Sequence, residues 1–126
     1  MNLINLFPLT IIKDKIEVGE KDKNVMINEI RDMKRNSKNL RYQTKSNAWT
    51  GDTQGFEFIH KNKKFKKLFD EIIKRVWGYL NCVEIDSKLV DVYIQRSWAT
   101  ISIGNERIKK HRHFQSHISF AYYLKK

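Results

Sequence analysis

Three of the four histidines in this chain fall within seven residues, in His111-Arg112-His113-Phe114-Gln115-Ser116-His117. Imidazole nitrogen is a ligand for iron, zinc, copper and nickel, so the residue type alone does not select the metal. A metal site needs nitrogens that converge to about 2.0–2.2 Å from one ion. Two histidines at i and i+2 on a strand, or at its end, share a face and can do this. The pair His111 and His113 therefore supplies two ligands of a facial set, with the third expected from a distant strand. His117 belongs with the strand that follows. The competing reading is a polar face on a half-exposed strand with no chemistry.

The elements that would position these residues can be read from apolar spacing. Val25, Met26, Ile30 and Met33 recur at helical steps and predict a helix over residues 20–35. Asn36-Ser37-Lys38-Asn39 closes it with turn-favouring residues. Phe65, Leu68, Phe69, Ile72, Ile73, Val76, Trp77 and Leu80 predict a second helix over residues 62–80, with Asn62 as its N-cap. Residues 40–60 read as an ordered polar loop around Trp49.

After Asn81 the period changes to two. Val90, Val92, Ile94 and Arg96 share one face of a predicted strand over residues 89–98, which Ala99 to Ile103 extend. Gly104-Asn105 marks a turn. Residues 117–124, His-Ile-Ser-Phe-Ala-Tyr-Tyr-Leu, make a last strand. On residues 111–123 taken as one strand, the even face is apolar and the odd face is rich in imidazole. Residues 3–12 are strand-like, with Pro8 placing them at an edge or bulge. The expected class is α+β, with two helices packed on one side of a β-sheet.

Length and composition set the frame. The 126 residues suffice for a single domain, 1–126. Forty per cent hydrophobic content argues against disorder despite the charge. The lone Cys82 cannot form an internal disulfide, which fits a reducing compartment, and the cytoplasm is the expected location. The apolar start, with no basic n-region and no small-residue cleavage site, reads as a strand rather than a signal peptide. No run reaches the ~18 apolar residues of a membrane span. The net charge of +11 would attract a polyanion such as nucleic acid. Lys61 to Lys67 with Arg31, Lys34 and Arg35 is the candidate patch. The bland cause of such a composition is a genome rich in AT codons.

Ser97-Trp98-Ala99-Thr100, then His111-Arg112-His113, Ser116, Ile118-Ser119 and Tyr122-Tyr123-Leu124 together resemble the signature of a 2-oxoglutarate/Fe(II) oxygenase family. That family is common in tailed phages and marine bacteria, and a phage-encoded protein would work in the host cytoplasm. Leu6-Phe7-Pro8, Ser46-Asn47 and Trp49 ahead of a long helix are similar to its layout. Thr100, Phe114 and Phe120 depart from the Asn, Pro and Gly of the family pattern.

The resemblance implies a double-stranded β-helix of the jelly-roll or cupin-like kind, present here in part. It also implies Fe(II) held by His111 and His113, 2-oxoglutarate as co-substrate and hydroxylation of a substrate. Ser119 and Tyr123 become possible partners of the 2-oxoglutarate carboxylate. In the family the sheet continues and brings a distal His and an Arg. The chain is therefore expected to be an incomplete domain, with an open sheet edge after Leu124 and poor solubility on its own. The alternatives are a nucleic-acid-binding module without catalysis and a cupin-like metal protein.

Overall fold

A computed structural model describes residues 10–37 and 48–125. The expected strand at residues 3–12 lies mostly outside these, as do Leu6-Phe7-Pro8 and Ser46-Asn47, and residues 10–12 form no strand. The order of elements is helix α1 (Glu20–Arg35), strand β1 (Trp49–Thr50), helix α2 (Lys66–Cys82) and strand β2 (Thr100–Ile101). Three short 3-10 turns lie between β1 and α2, at Gly51–Gln54, Ile59–Lys61 and Lys63–Phe65.

Helix α1 forms where the apolar spacing places it. Met26 and Met33 are buried, and Ile30 packs beside them on the same face. Glu20 and Asp22 in the first turn and Lys34 and Arg35 in the last complement the helix dipole. The chain leaves the helix at Asn36, whose N–H donates to the Asp32 carbonyl at 2.9 Å. The Ser37 hydroxyl donates back to the Met33 carbonyl at 3.0 Å and receives the Trp49 indole N–H at 2.8 Å. Trp49 therefore ties β1 to the end of α1.

Helix α2 buries Leu68, Phe69, Ile72 and Leu80. Asn62 caps the 3-10 turn that leads into α2, accepting the Lys64 N–H at 3.0 Å. Its amide also donates to the Glu29 carboxylate at 2.8 Å, which fixes the entry of α2 against α1. Met26 and Phe65 are the most enclosed side chains, each 1% exposed. They centre a core shared by α1, α2, Ile59 and Ala99. Each such side chain contributes about 1.5–3 kcal/mol through apolar burial. The segment before α1 straps across α2, with Arg75 donating to Asp14 at 2.9 Å and Tyr79 donating to the Thr10 carbonyl at 3.3 Å.

The expected partial double-stranded β-helix, jelly-roll or cupin-like, is not what the chain forms. Among the described residues the sheet has two strands, antiparallel β1 and β2, in register Trp49 with Ile101 and Thr50 with Thr100. One isolated parallel bridge joins Phe58 to Ser97. The period-two pattern did leave its mark on burial. Val92 and Ile94 turn inward while Asp91, Tyr93 and Gln95 face out, and Tyr122 and Leu124 turn inward around an exposed Tyr123. Ile94, Tyr122 and Leu124 pack on the helical core. The alternation is satisfied by packing on helices, and no ladder partner flanks residues 89–96 or 117–124. A jelly roll needs such partners on both sides, since each strand hydrogen-bonds to its neighbours. The Gly104-Asn105 turn forms as expected, with Gly104 at φ +59° and the Glu106 N–H donating to the Ile103 carbonyl at 3.2 Å.

Candidate metal centre

Residues 97–101 are the structural hub of the site. The Ser97 N–H donates to the Glu57 carbonyl at 2.9 Å, the Ser97 carbonyl accepts the Ile59 N–H at 3.1 Å, and the Ala99 carbonyl accepts the Gly51 N–H at 2.9 Å. The segment is thus held between β1 on one side and residues 57–59 on the other. Alternation puts Ser97 and Ala99 into the interior, both buried. Arg96 and Trp98 lie on its other side, where the Arg96 guanidinium sits 5.5 Å from the Trp98 ring centre.

His113 packs on the same indole, ring centres 5.5 Å apart. The structure therefore joins the Ser97-Trp98-Ala99-Thr100 block to the H-x-H pair across fifteen residues of chain. His111 and His113 meet edge to face with ring centres 4.7 Å apart, and their Nε2 atoms are 3.1 Å apart. Two nitrogens bound at about 2.1 Å with an angle between octahedral and tetrahedral would be roughly 3.0–3.4 Å apart. The pair already has the separation of two neighbouring ligands on one ion.

The proton arrangement favours that use at His111. Its Nδ1 lies 2.9 Å from the Lys109 carbonyl. A carbonyl only accepts, so Nδ1 is the donor there, and in the neutral ring Nε2 then keeps its lone pair. This is the outer-shell contact that orients histidine ligands generally. His113 then donates from Nε2 to the bare nitrogen of His111, and a metal between them would require His113 to move that proton to Nδ1. Both rings are exposed and open to solvent.

The other expected site residues are placed apart from the pair. The Ser119 hydroxyl lies 3.3 Å from that of Ser116, and Tyr123 is exposed with no hydrogen bond among the described residues. His117 makes no ring contact with the pair there. Among the described residues no group of three His, Cys, Asp or Glu side chains could hold a metal ion. Residues 1–9, 38–47 and 126 contain none of these four types. The H-x-H pair thus brings two imidazole nitrogens together, and among the described residues no third such side chain joins them.

Sequence reasoning passed over His60, the fourth histidine. Its Nδ1 lies 2.6 Å from the Ser97 hydroxyl, which also accepts the His60 backbone N–H at 2.9 Å. Partial burial, and then the nearby Lys61 ammonium, push the His60 imidazole below its ordinary pKa. This contact resembles the nucleophile and base of a hydrolase, but Ser97 is 6% exposed and its oxygen is occupied by a backbone N–H. Its role is to lock the hub.

Four of the eight cations in the expected basic patch are held in ion pairs. Lys64 pairs with Glu29, Lys67 with Asp22, Lys66 with Asp70 and Arg35 with Asp32. Among the described residues no helix is long and apolar enough to cross a membrane. No family model, curated protein or solved structure matches the chain.

Proposed function

We propose that this chain carries the metal-holding element of an Fe(II)/2-oxoglutarate-dependent oxygenase, with His111 and His113 as its two protein ligands. The observation that supports the reading is the 3.1 Å separation of the two Nε2 atoms, with His111 held in the ligand tautomer by the Lys109 carbonyl. The donor set fits iron, whose chemistry in such a centre is oxygen activation for hydroxylation of a substrate. Two imidazoles leave room for a chelating 2-oxo acid and for solvent. Trp98 backs His113 and keeps its ring from swinging away from His111. Ser119 and Tyr123, both exposed, are candidate partners for the far carboxylate of 2-oxoglutarate.

The test is anaerobic titration of the protein with Fe(II) in the presence of 2-oxoglutarate. The expected result is saturable binding of one ion per chain with a metal-to-ligand charge-transfer band. His111→Ala and His113→Ala should each abolish the band, and His117→Ala should retain it. Absence of the band in the parent protein, or its survival in His111→Ala, overturns the reading.

A further inference from the structure

Residues 97–101 are hydrogen-bonded on both sides, to β1 and to residues 57–59. The run that leads into them is not. Among the described residues, no main-chain hydrogen bond ties residues 90–96 to another segment. Yet this run keeps the alternation of the ladder it enters. Val92 and Ile94 turn inward, with Ile94 on the helical core, while Asp91, Tyr93 and Gln95 face out. Tyr93 is 79% exposed. A strand that leaves a ladder with its N–H and C=O groups unpaired is a template for another strand.

The residue order favours a second copy as that strand. Residues 90–96 carry one acid, Asp91, and one base, Arg96. Opposed residues of an antiparallel pair lie on the same face. A two-fold pair centred on Tyr93 sets Val92 against Ile94 of the second copy, Asp91 against Gln95 and Val90 against Arg96. Apolar side chains then meet on the helix-covered face, and a carboxylate meets an amide on the outer one. Neighbouring registers are worse. Centring on Val92 sets Lys88 against Arg96, and centring on Asp91 opposes two carboxylates. Centring on Ile94 needs Ser97, whose N–H and carbonyl are already bonded to Glu57 and Ile59. The exposed run from Arg107 to Arg112 carries Arg107, Lys109, Lys110 and Arg112 and no acid, so it would repel its own copy.

We propose that two copies of this chain pair antiparallel through residues 90–96, with Tyr93 on the two-fold axis, joining their ladders. Neither copy needs a metal for this pairing.

The experiment is sedimentation equilibrium and disulfide trapping of the full chain, with the exposed Cys82 replaced in the trapping variants. Opposed Cα atoms of an antiparallel pair lie about 4.5–5.5 Å apart, inside the ~4.4–6.8 Å that a disulfide spans. C82S/Y93C should therefore be captured as a covalent dimer by oxidised glutathione. C82S/L89C, which the register sets ~26 Å from its counterpart at ~3.3 Å per residue, should not. The parent chain should sediment as a monomer–dimer equilibrium. Y93K, which opposes two ammonium groups on the axis, should weaken the dimer about tenfold and leave the far-UV circular dichroism unchanged. A121K, on the other alternating run, should stay within twofold of the parent. Added salt should tighten the dimer, because each copy carries +11. A monomer up to the solubility limit, equal capture of Y93C and L89C, or a dimer indifferent to Y93K overturns the proposal. A monomer that instead binds an added strand peptide gives the edge to a foreign chain and overturns it as well.

Discussion

The hydroxyl of Ser97 lies 2.6 Å from Nδ1 of His60 and accepts the backbone N–H of the same residue at 2.9 Å. One buried oxygen thereby holds both the main chain and the side chain of a residue 37 positions away. The contact adjoins Trp98, on which His113 packs. Damage to it should be felt at the proposed metal centre as well as in stability.

Ser97→Ala removes that oxygen and leaves the His60 N–H and Nδ1 without their partner. Leaving a buried polar group unsatisfied costs about 1–3 kcal/mol. The expected outcome is a lowered urea midpoint with an unchanged slope. Ser97→Thr, which keeps the hydroxyl, should recover part of the loss. An unchanged midpoint in Ser97→Ala would show that the lock carries no energy.

His60 also makes a prediction about pH. Its folded pKa is depressed by burial and by Lys61 below the ordinary 6.5. Where the folded pKa lies below the unfolded one, the unfolded chain binds more protons, so stability rises with pH. The contribution is therefore fully present above the unfolded value and is lost as pH falls through the folded value. Urea midpoints measured downward from neutral pH should show this loss, and His60→Gln should flatten that part of the profile. The same slope in parent and variant would assign the loss to other groups.

The centre of the core gives the largest expected effect. Phe65 is 1% exposed and joins the start of α2 to α1. Phe65→Ala should cost about 3–5 kcal/mol through lost burial and the cavity left behind. In a domain with one small core that is enough to leave a sizeable unfolded fraction, read by far-UV circular dichroism on heating. Asn62→Ala, which removes a cap and the link to Glu29, should cost less, about 0.5–2 kcal/mol.

The helices were legible because each shows enough turns of apolar spacing to define a face, and the bounds found are within a few residues of those the spacing predicts. The strands were half legible. Val92, Ile94, Tyr122 and Leu124 turn inward as their period demands, while Val90, Arg96 and Phe120 on the same expected faces are exposed; period two reports which face is covered and not what covers it. Here helices cover it, and a sheet inferred from alternation alone was an overreach. The nearness of Trp98 to His113 followed from no local pattern; only the family-like order of the two blocks suggested it. His60 was missed because its partner is 37 residues distant and its neighbours Phe58 and Ile59 draw attention as core candidates. The proton on His111 Nδ1 depends on a backbone carbonyl, which every residue has, and so leaves no mark on sequence.

The contact between Trp98 and His113 supplies an optical test of the proposed metal centre. Their ring centres are 5.5 Å apart, so a paramagnetic ion held by His111 and His113 would lie close to one indole of the three in the chain. Trp49 instead donates to Ser37, and its ring centre lies 6.5 Å from that of Phe56. Adding Co(II) or Cu(II) should therefore quench a fraction of the emission, and Trp98→Phe should remove that quenchable fraction. Trp49→Phe and Trp77→Phe should leave it in place. His113→Ala should remove the quenching without removing the emission of Trp98, because it deletes a ligand and not the reporter. Quenching that persists in Trp98→Phe would place the bound ion elsewhere on the molecule.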